Sequence, residues 1–74
     1  MIKMKRLVKR TYSQAIYVSK QGKYNVTWTT HERYRNTWRK VDENTFNLRD
    51  YDFNNYEEYI KNLMSIDDTW VMID

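Results

Sequence analysis

The sequence predicts an α+β fold: a small antiparallel β-sheet of three or four strands packed against one amphipathic C-terminal helix, with a short final strand after it. Three observations carry that expectation. Large apolar side chains alternate with polar ones through much of residues 2–41, the period of a strand with one buried face. Over residues 53–64 the spacing changes to three and four, which puts the apolar groups on one side of a helix. The single glycine, Gly22, lies between two β-prone runs, where a hairpin turn profits from its freedom to take positive φ.

In chain order, the first strand covers 2–12, with Ile2, Met4, Val8 and Tyr12 at even positions and Lys3, Lys5, Lys9 and Thr11 at odd ones. Arg6 and Leu7 interrupt the alternation. Ala15 to Ser19 form the next strand, Lys20 to Lys23 the turn, and Tyr24 to Thr30 the return, again with Tyr24, Val26 and Trp28 at even positions. A further strand spans about 33–41, where Tyr34 and Trp38 alternate with Arg33, Arg35 and Arg39, and residues 42–51 read as loop. Phe53, Tyr56, Tyr59, Ile60, Leu63 and Met64 then mark a helix of about three turns. Asp52 or Asn54 is positioned to cap it, and Glu57 and Glu58 lie in its first turn, where the helix dipole favours negative charge. Residues 69–74 (TWVMID) are short and β-prone, a last strand open to pairing with a second copy as a homodimer.

Composition narrows the function. The 74 residues contain no cysteine, which excludes disulfide staples, thiolate zinc sites and thiol nucleophiles and points to a reducing cytoplasm. Ile, Leu, Val and Phe make up 15 residues, but seven Tyr and three Trp supply the missing apolar area, because an aromatic side chain buries about 150–250 Å². No internal repeat or Gly/Ser/Pro-rich linker divides the chain, so it reads as a single domain over 1–74. A domain of this size buries only about 60% of its unfolded surface and has little core to spare for a catalytic pocket. The first ten residues carry charge but no apolar stretch of signal-peptide length follows, and no run is long enough to cross a bilayer. Lys, Asn, Ile and Tyr are abundant while Gly22 and Ala15 are the only residues of their kinds and proline is absent. That bias fits an AT-rich genome, of the sort that phages and mobile elements often carry, with the host cytosol as the compartment.

Catalytic and metal motifs fail one by one. The only histidine, His31, reads as an exposed loop residue, and one histidine without thiolates supplies neither a nucleophile's base nor a zinc site. Asp50-x-Asp52-x-Asn54 imitates the start of a calcium loop, but its sixth position is Asn55 and its twelfth Lys61, where the ion needs glycine and a bidentate glutamate. One glycine makes no phosphate-cradling loop. The expectation is therefore no enzyme, no metal and no cofactor.

The charge layout says more. Residues 1–40 carry eleven Lys and Arg against Glu32 alone, whereas residues 41–74 carry Arg49 and Lys61 against nine acids. If even positions face the core in every strand, the odd ones share the outer face, which then holds Lys3, Lys5, Lys9, Tyr17, Lys23, Arg33, Arg35 and Arg39 with Asn25, Thr27 and Thr29 between them. Such a face suits phosphate contact, with Tyr17 available for stacking on a base. The plainer alternatives are that any one-sided sheet is polar outside, or that the acidic helical half neutralises the basic sheet. Strands followed by a helix are similar in outline to the arm-binding domains of some mobile-element integrases, a likeness of layout that implies a sheet laid on DNA. The leading expectation is a non-catalytic module contacting nucleic acid or a nucleoprotein complex. The second is a phage-encoded inhibitor of anti-CRISPR or host-takeover type that blocks a host or defence protein, and the third a self-associating virion component.

Overall fold

The computed structural model describes residues 6–73. Their strands form one antiparallel sheet: β1 (Arg6–Arg10), β2 (Gln14–Gln21), β3 (Asn25–Tyr34), β4 (Thr37–Asn47) and β5 (Val71–Ile73), in spatial order β4-β3-β2-β1-β5. The first four make a meander. From the β4 edge the chain passes through a 3₁₀ turn (Leu48–Tyr51) and the helix α1 (Tyr56–Ile66), and returns at the opposite edge, where β5 pairs with β1. The α+β fold is as expected, the short last strand included.

The helix covers one face of the sheet. Leu7, Val18, Val26 and Leu48 are completely buried there beneath Tyr56, Tyr59, Ile60 and Leu63 of α1, with Trp70 closing the side. Burying side chains of this size contributes about 1.5–3 kcal/mol each. The two tyrosines satisfy their hydroxyls inside this layer. Tyr56 donates to the carbonyl of Val18 at 3.2 Å, and Tyr59 accepts from Trp28 Nε1 at 3.0 Å. Burial pushes the Tyr56 phenol up to about 12 and raises that of Tyr59 as well.

Helix capping differs from expectation by one position. Asn55, rather than Asp52 or Asn54, is the N-cap, its side chain accepting from the Glu58 amide at 2.9 Å. Asp52 instead closes the 3₁₀ turn at φ 62°, in the left-handed region, which short polar side chains tolerate best. The helix keeps its expected three turns, yet Met64 is an exposed residue rather than a core one. The expected loop at 42–51 is mostly strand: Asp42 to Asn47 continue β4 against β3, and only Leu48–Tyr51 leave the sheet.

Two register features decide which side chains share a face, because directly paired residues point the same way. In β1, Leu7 pairs with Val18 and Val8 with Tyr17. The odd residues of β1 therefore face the helix, the reverse of the parity expected. The cause is the Leu7-Val8 doublet, since both are buried and Leu7 takes the place under α1. In β4, the pairing runs Thr30↔Asp42 but His31↔Lys40, which leaves Val41 as an extra residue. This bulge reverses the parity of everything before it in the strand. Trp38 consequently moves to the open face, opposite Arg33, and Arg39 moves to the helix side, opposite Glu32.

Candidate functional site

The open face curves into a groove of about 640 Å³. Its walls are Arg6 and Arg10 from β1, Tyr17 and Ser19 from β2, Thr29 and His31 from β3 and Trp38 from β4, with Ile73 of β5 at one end. Ala15 forms part of the floor, placed by the ladder between Arg10 and His31. A methyl group at that position leaves space that any larger side chain would fill. Among the described residues none that lines the groove is acidic.

Trp38 organises the cations. The guanidinium of Arg10 lies 5.4 Å from its ring centroid and that of Arg33 lies 5.1 Å away, while Arg33 also reaches the ring of Tyr12 at 5.4 Å. Such contacts stabilise by about 0.5–1 kcal/mol at exposed sites. They hold each guanidinium plane while leaving its N–H edges able to donate. Sharing one indole keeps the two charges within about a Debye length, ~10 Å at 0.1 M salt, so their fields add at the groove.

The floor carries an unusual polar group. His31 and Tyr17 meet edge to face at 5.3 Å and 84°, and the Nδ1 of His31 is buried without a hydrogen-bond partner. Native proteins rarely leave such an atom unsatisfied. His31 is thus a half-buried member of β3 inside the groove, not the exposed loop residue expected. Among the described residues no group of three His, Asp or Glu is placed to hold a metal ion.

The residues singled out from the sequence divide into several places. Tyr17 lines the groove, and Arg33 shares its face of the sheet and stands beside it on the ring of Trp38. Lys9 does not: the parity of β1 turns it to the helix side, where its ammonium pairs with Asp67 and sits 5.6 Å over the ring of Trp70. The hydrogen bond from Lys9, helped by Thr69, holds the Asp67 carboxyl down at about 2. Arg39 also leaves the open face and flanks Tyr34 at 5.3 Å, with Arg35 against the same ring at 5.4 Å. That makes a second arginine–aromatic cluster at the β3–β4 tip. Lys23 stands at the far end, beside the β2–β3 turn, sharing the ring of Tyr24 with Arg49. Lys3 and Lys5 lie outside the described residues. Sequence parity missed Arg6, Arg10, His31 and Trp38. The Leu7-Val8 doublet is the signal that could have found Arg6 and Arg10, whereas the bulge that moves Trp38 shows only in the pairing of β4 with β3. Residues 69–74, expected as a strand open to a second copy, contain β5, whose Val71 and Met72 remain exposed.

No helix among the described residues is long and apolar enough to cross a membrane. No family model, curated protein or solved structure matches the chain.

Proposed function

We propose that the protein is a non-catalytic binding module of the cytoplasm that contacts nucleic acid, or the nucleic acid of a nucleoprotein complex, through the open face of its sheet. The observation that carries this reading is the groove itself: Arg6 and Arg10 line a concave surface whose described lining has no acid, and Arg33 stands at its edge against the ring of Trp38. Guanidiniums present paired N–H donors suited to phosphate oxygens. Trp38 acts as the platform for Arg10 and Arg33, while Tyr17 offers stacking and Ser19 and Thr29 offer hydrogen bonds to a base or sugar. Fluorescence anisotropy with labelled single- and double-stranded oligonucleotides tests it. Binding that falls steeply with salt is expected, and absent or salt-insensitive binding to both DNA and RNA overturns the reading.

A second reading is an inhibitor, phage-encoded in the AT-rich setting described above, that docks on a host or defence protein. It is favoured by the tip cluster, in which exposed Tyr34 stands between Arg35 and Arg39, residue types that dominate the energetics of protein interfaces. A complex recovered from host lysate after nuclease treatment, and lost in Tyr34→Ala, supports this reading over the first.

A further inference from the structure

The helix side of the sheet carries a second cavity of opposite character. Between α1, the 3₁₀ turn and strands β3 and β4 lies a cleft of about 380 Å³, within the range of about 300–1,000 Å³ common for small-ligand sites. Its walls are five aromatic rings: Trp28, Phe46, Tyr51, Phe53 and Tyr59. Four of the rings meet nearly at right angles in three pairs. Phe53 and Tyr59 meet at 82° with centroids 5.1 Å apart, Phe46 and Tyr51 at 74° and 5.1 Å, and Phe46 and Tyr59 at 71° and 5.6 Å. Perpendicular neighbours of this kind form the sides of a box, so that some walls present the electron-rich face of a ring inward. The hydrogen bond from Trp28 fixes the hydroxyl of Tyr59, and burial keeps that hydroxyl protonated. The one charged side chain among the described lining residues is Asp42, flanked by Thr30 and Asn44.

We propose that this cleft is a binding site for an organic ammonium cation, a methylated head group such as choline or methylated lysine carries. A cation gains from the ring faces and from the carboxylate at once, and its methyl groups bury against apolar walls. A phosphate or carboxylate ligand meets Asp42 as a like charge and is disfavoured. An uncharged apolar ligand of the same shape fills the box but leaves both electrostatic attractions unused. The site lies on the face opposite the cationic groove, so it stands or falls independently of nucleic-acid binding.

The test follows the Trp28 indole N–H and the Tyr51 ring by NMR while the intact protein is titrated at constant ionic strength. The probes are choline chloride, a short peptide with a trimethylated lysine, and the uncharged tert-butyl analogue of choline. Saturable shifts with either cation are expected, with the uncharged analogue about fivefold weaker or worse, given the size of cation–π contacts. Stronger binding of the peptide assigns the source to a protein tail, and stronger binding of choline to a free metabolite or lipid head group. Asp42→Asn is exposed and isosteric, and is expected to weaken choline about fivefold, the effect of one unit charge about 4 Å away in water. Tyr51→Leu removes an exposed wall and is expected to do the same, with the amide spectrum reporting retention of the fold in both. Equal affinity for the uncharged analogue, absence of saturation with both cations, or unchanged affinity in Asp42→Asn overturns the proposal.

Discussion

If Arg6 and Arg10 of the groove and Arg33 at its edge each neutralise a phosphate, the salt dependence of binding is calculable. Counterion release gives a slope of log affinity against log salt of about −0.9 per phosphate on duplex DNA and about −0.7 on single strands. Arg6, Arg10 and Arg33 together therefore predict about −2.7 or −2.1, a loss of about 40-fold or 20-fold between about 50 and 200 mM salt. Replacing Arg10 and Arg33 by alanine leaves one contact, a slope of about −0.9 on duplex and a loss of only about fourfold over the same range. Both positions are exposed, so the fold should tolerate the change. Lys61→Gln supplies the control, since it removes a positive charge from the exposed surface of α1 and should leave the slope unchanged. Anisotropy titrations at four or more salt concentrations measure all three. A double variant that keeps the parent slope, or a Lys61→Gln variant that loses as much, refutes the assignment of contacts to the groove.

Three further outcomes follow from the packing. Asn55→Ala removes the acceptor of the Glu58 amide and should cost about 1 kcal/mol in urea unfolding, the usual value of an N-cap. Asp67 has its folded-state pKa depressed to about 2 by Lys9 and Thr69, so its contribution is present above the unfolded value near 4 and lost as pH falls toward 2. Stability of Asp67→Asn should accordingly vary less than the parent's across that acid window in pH-dependent denaturation. Tyr56 has the opposite sign: its folded pKa, raised to about 12 by burial, contributes stability that is complete below pH 10 and lost between 10 and 12. Tyr56→Phe should flatten that alkaline limb, and spectrophotometric titration should show one fewer late-titrating phenol than in the parent, with the raised Tyr59 remaining in both.

The sheet and the helix were legible because each rests on a local period that its burial enforces, whereas the last strand, with Val71 and Met72 exposed, was legible from its β-prone composition. Val18, Val26 and Trp28 face the helix as their alternation implies, and Tyr56, Tyr59, Ile60 and Leu63 form the helical stripe. What parity could not supply was phase across irregularities. Leu7 and Val8 are adjacent and both apolar, so either could have faced the helix, and only the pairing of Leu7 with Val18 settles it. The bulge at Val41 has no local sequence mark, because it is defined by the mismatch between β4 and β3. Residues 42–47 were read as loop since Asp, Glu and Asn have little intrinsic preference for strands. Here the ladder to β3 overrides that preference at an edge, where exposed polar side chains also discourage a further strand from adding.

Those same irregularities determine how the charge asymmetry of the chain is used. Had β1 kept the even-inward phase, Lys9 would have faced the groove and Arg6 and Arg10 the helix, and without the bulge Trp38 would have left the open face. The observed phase instead places Lys9 beside Asp67, which joins the basic and acidic halves by an ion pair. It also places Arg10 and Arg33 on one indole. Aromatic rings hold these guanidiniums where carboxylates would otherwise be needed, and a ring orders an arginine without cancelling its charge. Arg35 and Arg39 on Tyr34 repeat the device at the tip, and Lys23 and Arg49 on Tyr24 at the far end. Among the described residues, no carboxylate of the acidic half forms an ion pair with these cations. Their charge is left in ordered form at the surface, the condition that binding an anionic partner requires.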